Sequence, residues 1–146
     1  MAYISRVHKD VVFNASAGAT QSFNTSFLQN GGELLAAVYT QGTASGISTA
    51  AGITVRAQQS SMVLLDVTAT GAAGVAVVNY PRALLTDTSG GALGFTSAAT
   101  PPRLADVLPI GQECINIEIA SATAGGTPAA ASCGLKIGFD FYIRGG

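Results

Sequence analysis

Apolar residues along this chain recur at every second position far more often than at helical spacing. They do so in short runs separated by Gly, Ser, Thr and Asn clusters. Period-2 alternation places successive side chains on opposite faces of a strand, so each run reads as a β-strand. Eight runs qualify: residues 9–14 (KDVVFN), 20–28 (TQSFNTSFL), 33–40 (ELLAAVYT), 52–57 (GITVRA), 61–68 (SMVLLDVT), 75–80 (VAVVNY), 112–119 (QECINIEI) and 135–143 (LKIGFDFYI). The last is the most regular, with Leu135, Ile137, Phe139, Phe141 and Ile143 alternating with Lys136, Gly138, Asp140 and Tyr142. In the second run, Phe23, Thr25 and Phe27 share a face. Run 61–68 is ambiguous. Val63, Leu65 and Val67 fit a core-facing set, which sends Met62 and Leu64 outward, either under a covering loop or into a contact with another chain.

Eight short strands at this spacing predict an all-β fold, a single antiparallel β-sandwich of jelly-roll type. Residues 1–146 form one domain, with residues 1–8 as a polar N-terminal arm. The stretch 81–111 breaks the pattern, holding four of the five prolines (Pro81, Pro101, Pro102, Pro109). It reads as a long Pro-rich crossover loop over one end of the sandwich, with a short strand at 92–96 and one helical turn at 104–108 ended by Pro109.

Composition turns this fold reading toward assembly. Charged residues are only 10% of the chain, seven basic and eight acidic, against about 25% in an average domain. A folded chain of this size exposes roughly 7,000 Å², so most of that surface is Ala, Gly, Ser, Thr, Asn, Gln and apolar atoms. Such a surface suits a protein packed against neighbours, where each desolvated charge is a liability. With a net charge of −1 and no basic stripe, nucleic-acid binding lacks its electrostatic footprint. No run of about 18 apolar residues predicts a membrane span, and the first ten residues lack the apolar segment of a signal peptide.

Catalytic chemistry is poorly supplied. The single histidine, His8, falls in the polar arm and reads as a solvated side chain. One His and two distant cysteines are too few for a His/Cys metal site. Glu113 and Glu118 are five apart and so lie on opposite faces of a strand; Glu118 and Asp140 face outward on the last two strands, could be neighbours if those strands pair, and read as solvated surface carboxylates. In such a hairpin Cys114 and Cys133 point to opposite faces, so both are expected free. The expectation is no catalytic residue, no metal site and no cofactor.

The polar arm, the Ala/Gly/Ser/Thr-rich strands, the crossover motif PRLADVLPIG at 102–111 and the terminal strand LKIGFDFYI together resemble small decoration, or cement, proteins of tailed bacteriophages, the jelly-roll cement proteins of short-tailed phages. The resemblance implies a non-enzymatic structural protein that binds and stabilises a viral capsid shell. It implies as partner the major capsid protein of an HK97-type shell, a homo-oligomeric state (dimer or trimer), and a place on the virion exterior after assembly in the bacterial host cytoplasm. The alternative reading is a carbohydrate- or receptor-binding β-sandwich module of a phage particle. Candidate interface residues are the large or cationic side chains that stand out from the small-residue surface: Tyr3, Ile4, Arg6, Met62, Leu64, Arg82, Phe95, Arg103 and Tyr142.

Overall fold

The strand with the strictest alternation, Leu135–Gly145, pairs with a partner on each side, and the rest of its sheet is arranged around it. The structure is a computed structural model that describes residues 3–13, 20–41, 46–47, 52–68, 74–84, 88–89, 105–120, 124–125 and 135–145. In chain order the strands are β1 (Tyr3–Phe13), β2 (Gln21–Asn24), β3 (Gly32–Gln41), β4 (Gly46–Ile47), β5 (Gly52–Ala57), β6 (Val63–Thr68), β7 (Ala76–Asn79), β8 (Arg82–Leu84), β9 (Ala105–Ile110), β10 (Ile115–Ala120), β11 (Ala124–Gly125) and β12 (Leu135–Gly145). There is no helix among the described residues.

The first sheet runs β1-β12-β3-β9-β8, with β7 also paired to β3. The second runs β2-β10-β5-β6, and β4 and β11 form a small separate ladder. All pairings are antiparallel. The two large sheets pack face to face as a β-sandwich over one core. Ile137, Phe139, Phe141 and Ile143 of β12, with Leu34 and Tyr39 of β3, meet Ile53 and Val55 of β5 and Ile115, Ile117 and Ile119 of β10. Tyr39 and Phe139 sit with ring centroids 6.2 Å apart, and Phe139 and Phe141 at 6.3 Å, within the range of favourable aromatic pairs.

Several expectations change here. Residues 3–8 are no arm. They are the first half of β1, which runs in unbroken register with β12 from Tyr3↔Gly145 to Phe13↔Leu135. The last two long strands do not pair with each other: β10 lies between β2 and β5, β12 between β1 and β3. Glu118 and Asp140 therefore belong to different sheets. Cys114 is half-buried beside β10, and Cys133 lies outside the described residues.

The segment at 104–108 is not a helical turn, since Ala105–Ile110 is strand β9. Pro109 fits because β8 pairs β9 only as far as Val107, while β3 takes over from Leu108 to Ile110. On the β8 side there is no ladder bond at 109 for a missing N–H to break. The crossover thus contributes two strands, β8 and β9. Residues 92–96 lie outside the described residues.

Run 61–68 is reversed at one end by a bulge. Val55 faces Leu65 and Arg56 faces Val63, leaving Leu64 as the extra residue. Before the bulge the phase is inverted, so Leu64 is 3% exposed and Met62 packs against the core, while Val63 stands outward at 43%. After it, Leu65 and Val67 face the core as the alternation predicts. Phe27 is likewise turned out. The Thr25 hydroxyl accepts the Ile115 N–H at 3.0 Å, ending the regular ladder of β2, and it is Leu28 that becomes buried.

Candidate interaction surface

The outer face of the first sheet can be read in cross-strand rows from the register. Ile4, Arg144 and Glu33 share one row, and Arg6, Tyr142 and Ala36 the next. His8, Asp140, Val38 and Val78 follow, then Asp10, Gly138, Thr40 and Ala76. Cross-strand neighbours on one face lie about 4.5–5.5 Å apart at Cβ, close enough for these side chains to interact.

They do. Arg6 reaches diagonally to Asp140 as a two-pronged pair, donating from Nε to Oδ1 at 2.8 Å and from Nη2 to Oδ2 at 3.0 Å. His8 sits between two carboxylates, with Nδ1 at 2.7 Å from Asp140 Oδ1 and Nε2 at 3.2 Å from Asp10 Oδ1. An imidazolium donates to both; a neutral ring donates to one. Gly138, the ladder partner of Asp10 and two residues before Asp140, presents no side chain to this cluster. Burial alone raises the Asp140 pKa. The hydrogen bonds from Arg6 and His8 outweigh it and hold the carboxyl below its ordinary value. Arg144 and Glu33 form a further ion pair two rows away.

Around these charges stand exposed apolar side chains. Ile4 is 65% and Val12 59% exposed, both on β1, with Val78 and Tyr80 on the far side of the sheet. At the end of β1 a cleft of about 240 Å³ opens between the edges of the two sheets. Tyr3, Phe27, Gln29 and Asn30 are among its lining residues. The Tyr3 ring lies over Gly145, where any added Cβ would come within 2.5 Å of it.

The expected interface residues separate into four groups. Ile4, Arg6 and Tyr142 are brought together on the outer face at the β1 edge of the first sheet, while Tyr3 points to the other face and lines the cleft between the sheets. Leu64 is buried and Met62 half-buried against the core, because the bulge turns both inward. Arg82 has a local task. On one side of β3, β9 pairs residues 32–34 and β7 pairs residues 37–40, and the Arg82 Nη1 donates to the intervening Leu35 carbonyl at 3.1 Å. Phe95 and Arg103 lie outside the described residues.

The sequence pattern hides the His8–Asp10–Asp140 cluster, because Ser5 and Lys9 interrupt the apolar set and the clear run begins at Lys9, six residues into β1. The alternation of Ile4, Arg6, His8, Asp10 and Val12 against Tyr3, Ser5, Val7, Lys9 and Val11 was the available signal. The opposite faces expected for Glu113 and Glu118 hold, but the task of Glu113 was not legible: it is buried beneath the β5–β6 turn. Its Oε2 accepts the N–H groups of Gln59 at 2.8 Å and Ser60 at 3.1 Å. Burial pushes its pKa up, and these bonds with the Ser60 hydroxyl and the Gly111 N–H bring it below the ordinary value. The turn it holds contains Ser61 at φ 57°, a left-handed conformation uncommon for a residue with a Cβ.

No group of three or more His, Cys, Asp or Glu is placed to hold a metal ion among the described residues. No helix among them is long and apolar enough to cross a membrane. No protein-family model, curated protein or solved structure matches the chain.

Proposed function

We propose that this chain is a non-enzymatic structural protein that binds and stabilises a viral capsid shell as a decoration protein, with a phage major capsid protein of HK97 type as its partner. The observation that carries the reading is the grouping of Ile4, Arg6 and Tyr142 on the outer face of one sheet beside its edge, with Tyr3 at the same end of β1 on the opposite face. Aromatic residues and Arg are enriched at protein interfaces, and here they gather on a chain with few charges and many small residues. A protein held against a regular shell needs such a patch and needs no catalytic group.

The fold proposed with it is a jelly roll. Setting aside β8 and β9, the sheets read β1-β12-β3-β7 and β2-β10-β5-β6. Those orders are what two interlocked Greek keys produce when the strands alternate between sheets. The β8–β9 pair is then an insertion between the seventh and tenth strands, within the crossover.

The test is co-sedimentation with undecorated phage heads of the matching major capsid protein. Ile4→Ser combined with Tyr142→Ala should lower the bound fraction at least tenfold while the β circular dichroism spectrum is retained. Equal binding by the double variant would reject this face as the contact. Truncating Met1–His8 is not a clean alternative, because it removes half of a strand.

One observation favours a second reading, a carbohydrate- or receptor-binding module. The cleft beside Tyr3 and Phe27 joins exposed aromatic rings to the amides of Gln29 and Asn30, a combination suited to a sugar ring. A glycan array with Phe27→Ala as control tests it directly.

A further inference from the structure

We propose that β1 is a self-pairing edge, and that two copies of this chain join through an antiparallel β1–β1 ladder with His8 opposite His8 on the two-fold axis.

The first observation is the edge itself. β1 is the end strand of its sheet, paired with β12 on one side and with no described strand on the other. Its eleven residues run in register with β12 without a bulge, and it contains no proline. Natural edge strands are commonly short, bulged or interrupted by proline, which discourages pairing with another sheet. This one is long and regular, spanning about 37 Å at 3.4 Å per residue.

The second observation is that its sequence is complementary to itself in one register. A strand from Tyr3 to Phe13 has its midpoint at His8. Centred there, all eleven residues of each copy are paired, Ile4 faces Val12 of the second copy, and Arg6 faces its Asp10. Ile4 and Val12 are the two most exposed apolar residues of β1. The Arg6 side chain is 57% exposed and that of Asp10 45%, so a contact across the new ladder would be shared with the bonds they already make, Arg6 to Asp140 and Asp10 to His8. Two-fold symmetry makes each match twice, which is the signature of an isologous contact.

Neighbouring registers are worse. Opposed residues on one face of a continuous sheet must have the same parity, because a one-residue slip would put the core face of one copy beside the solvent face of the other. The nearest allowed alternatives therefore centre on Val7 or on Lys9. Centring on Val7 sets Arg6 against His8 and Ile4 against Asp10. Centring on Lys9 sets His8 against Asp10 and Val7 against Val11, but it leaves Tyr3 and Ile4 unpaired and sets two lysines against each other on the axis, where like charges directly opposed are destabilising. The His8-centred register alone uses the whole strand, and on the outer face it pairs Arg6 with Asp10 and Ile4 with Val12, at the cost of setting Val7 against Lys9 on the inner one.

The pairing would merge two outer faces into one continuous surface carrying both copies of Tyr142 and Arg6. It does not rest on the capsid reading, and the isolated protein tests it without any shell. Wild-type protein should sediment at twice the 14.6 kDa chain mass. In a Cys114→Ser, Cys133→Ser background, His8→Cys should form a covalent dimer on copper-phenanthroline oxidation. Arg6→Cys and Asp10→Cys should each stay uncrosslinked alone and crosslink when mixed. Asp10→Lys, which sets a lysine opposite Arg6, should weaken the dimer at least tenfold while keeping the β spectrum. A monomeric wild type would overturn the proposal. So would a dimer that survives Asp10→Lys unchanged, or one that crosslinks through Val7→Cys or Lys9→Cys in place of His8→Cys.

Discussion

β1 and β12 lie side by side for eleven residues in a single register, yet they are built on different principles. β12 is covered on both edges, and its inner set of Ile137, Phe139, Phe141 and Ile143 is essentially inaccessible. The inner set of β1 is Tyr3, Ser5, Val7, Lys9 and Val11, of which only Val11 is fully buried. The opposed pairs make the contrast concrete: Phe139 faces Lys9, and Ile143 faces Ser5, across the same ladder. Both are regular strands in one shared ladder, although β12 hydrogen-bonds to a neighbour on each side and β1 to β12 alone among the described strands. What differs is how far each lies from the rim of the sandwich, so strict alternation reports depth in the core more than it reports strand structure.

The largest expected effect tests that contrast. Phe139→Ala removes a ring packed between Tyr39 and Phe141 and should cost about 3–5 kcal/mol in urea denaturation. Val7→Ala, half-buried on the edge strand, should cost about 1 kcal/mol or less. Equal losses would mean that the rim is as tightly packed as the centre, and the distinction would fail.

The same contrast explains what could be read from the sequence. The inner residues of β5, β10 and β12 repeat apolar side chains at every second position, and each was placed correctly from that pattern. β1 could not be delimited that way, because Ser5 and Lys9 interrupt its inner face near solvent. β9 was obscured by Pro109, whose tolerance depends on where β8 stops, a tertiary fact with no local signature. The β6 bulge has the same character, since nothing in SMVLLDVT marks Leu64 as the unpaired residue. Of the candidate surface, Tyr3, Ile4, Arg6 and Tyr142 were legible as unusual side chains. The His8–Asp140 bond, joining residues 132 apart, depends on the β1–β12 register and was not.

β6, the edge of the second sheet, sharpens the comparison by holding both behaviours in adjacent residues. Leu64→Ala should cost about 2–3 kcal/mol, toward the low end for a buried leucine because an edge strand can relax into the space. Val63→Ser, one residue earlier and on the outer face, should stay within about 0.5 kcal/mol. If the two costs were exchanged, the bulge would be absent in solution and the simple alternation restored.

An intermediate effect is expected where a central strand meets an edge strand through a turn. Glu113 precedes β10 and holds the turn that leads into β6, so Glu113→Ala leaves the Gln59 and Ser60 N–H groups without their carboxylate and should cost about 1–3 kcal/mol. Amide exchange should quicken first at Gln59, Ser60 and the start of β6, with β12 unaffected. Uniform acceleration across both sheets would instead make Glu113 a support of the whole core.

The smallest effect concerns the charged seam between β1 and β12, and its sign follows from linkage. The Glu113 and Asp140 carboxyls titrate lower in the folded chain than their ordinary values of 4.5 and 3.8. A carboxyl depressed by folding adds stability that is complete above its unfolded value and is lost as pH falls through the folded one. Stability should therefore be nearly flat from pH 7 to about 5 and fall below about 4.5. Asp140→Asn should leave the neutral-pH stability within about 1 kcal/mol, since solvent screens an ion pair whose arginine is largely exposed. It should also make the acid fall shallower, because one of the two depressed carboxyls is gone. The slope should become shallower again in the Glu113→Gln, Asp140→Asn double variant. If Asp140→Asn leaves the slope unchanged, the Arg6–Asp140–His8 seam contributes nothing through proton linkage, and β1 is held to β12 by its backbone ladder alone.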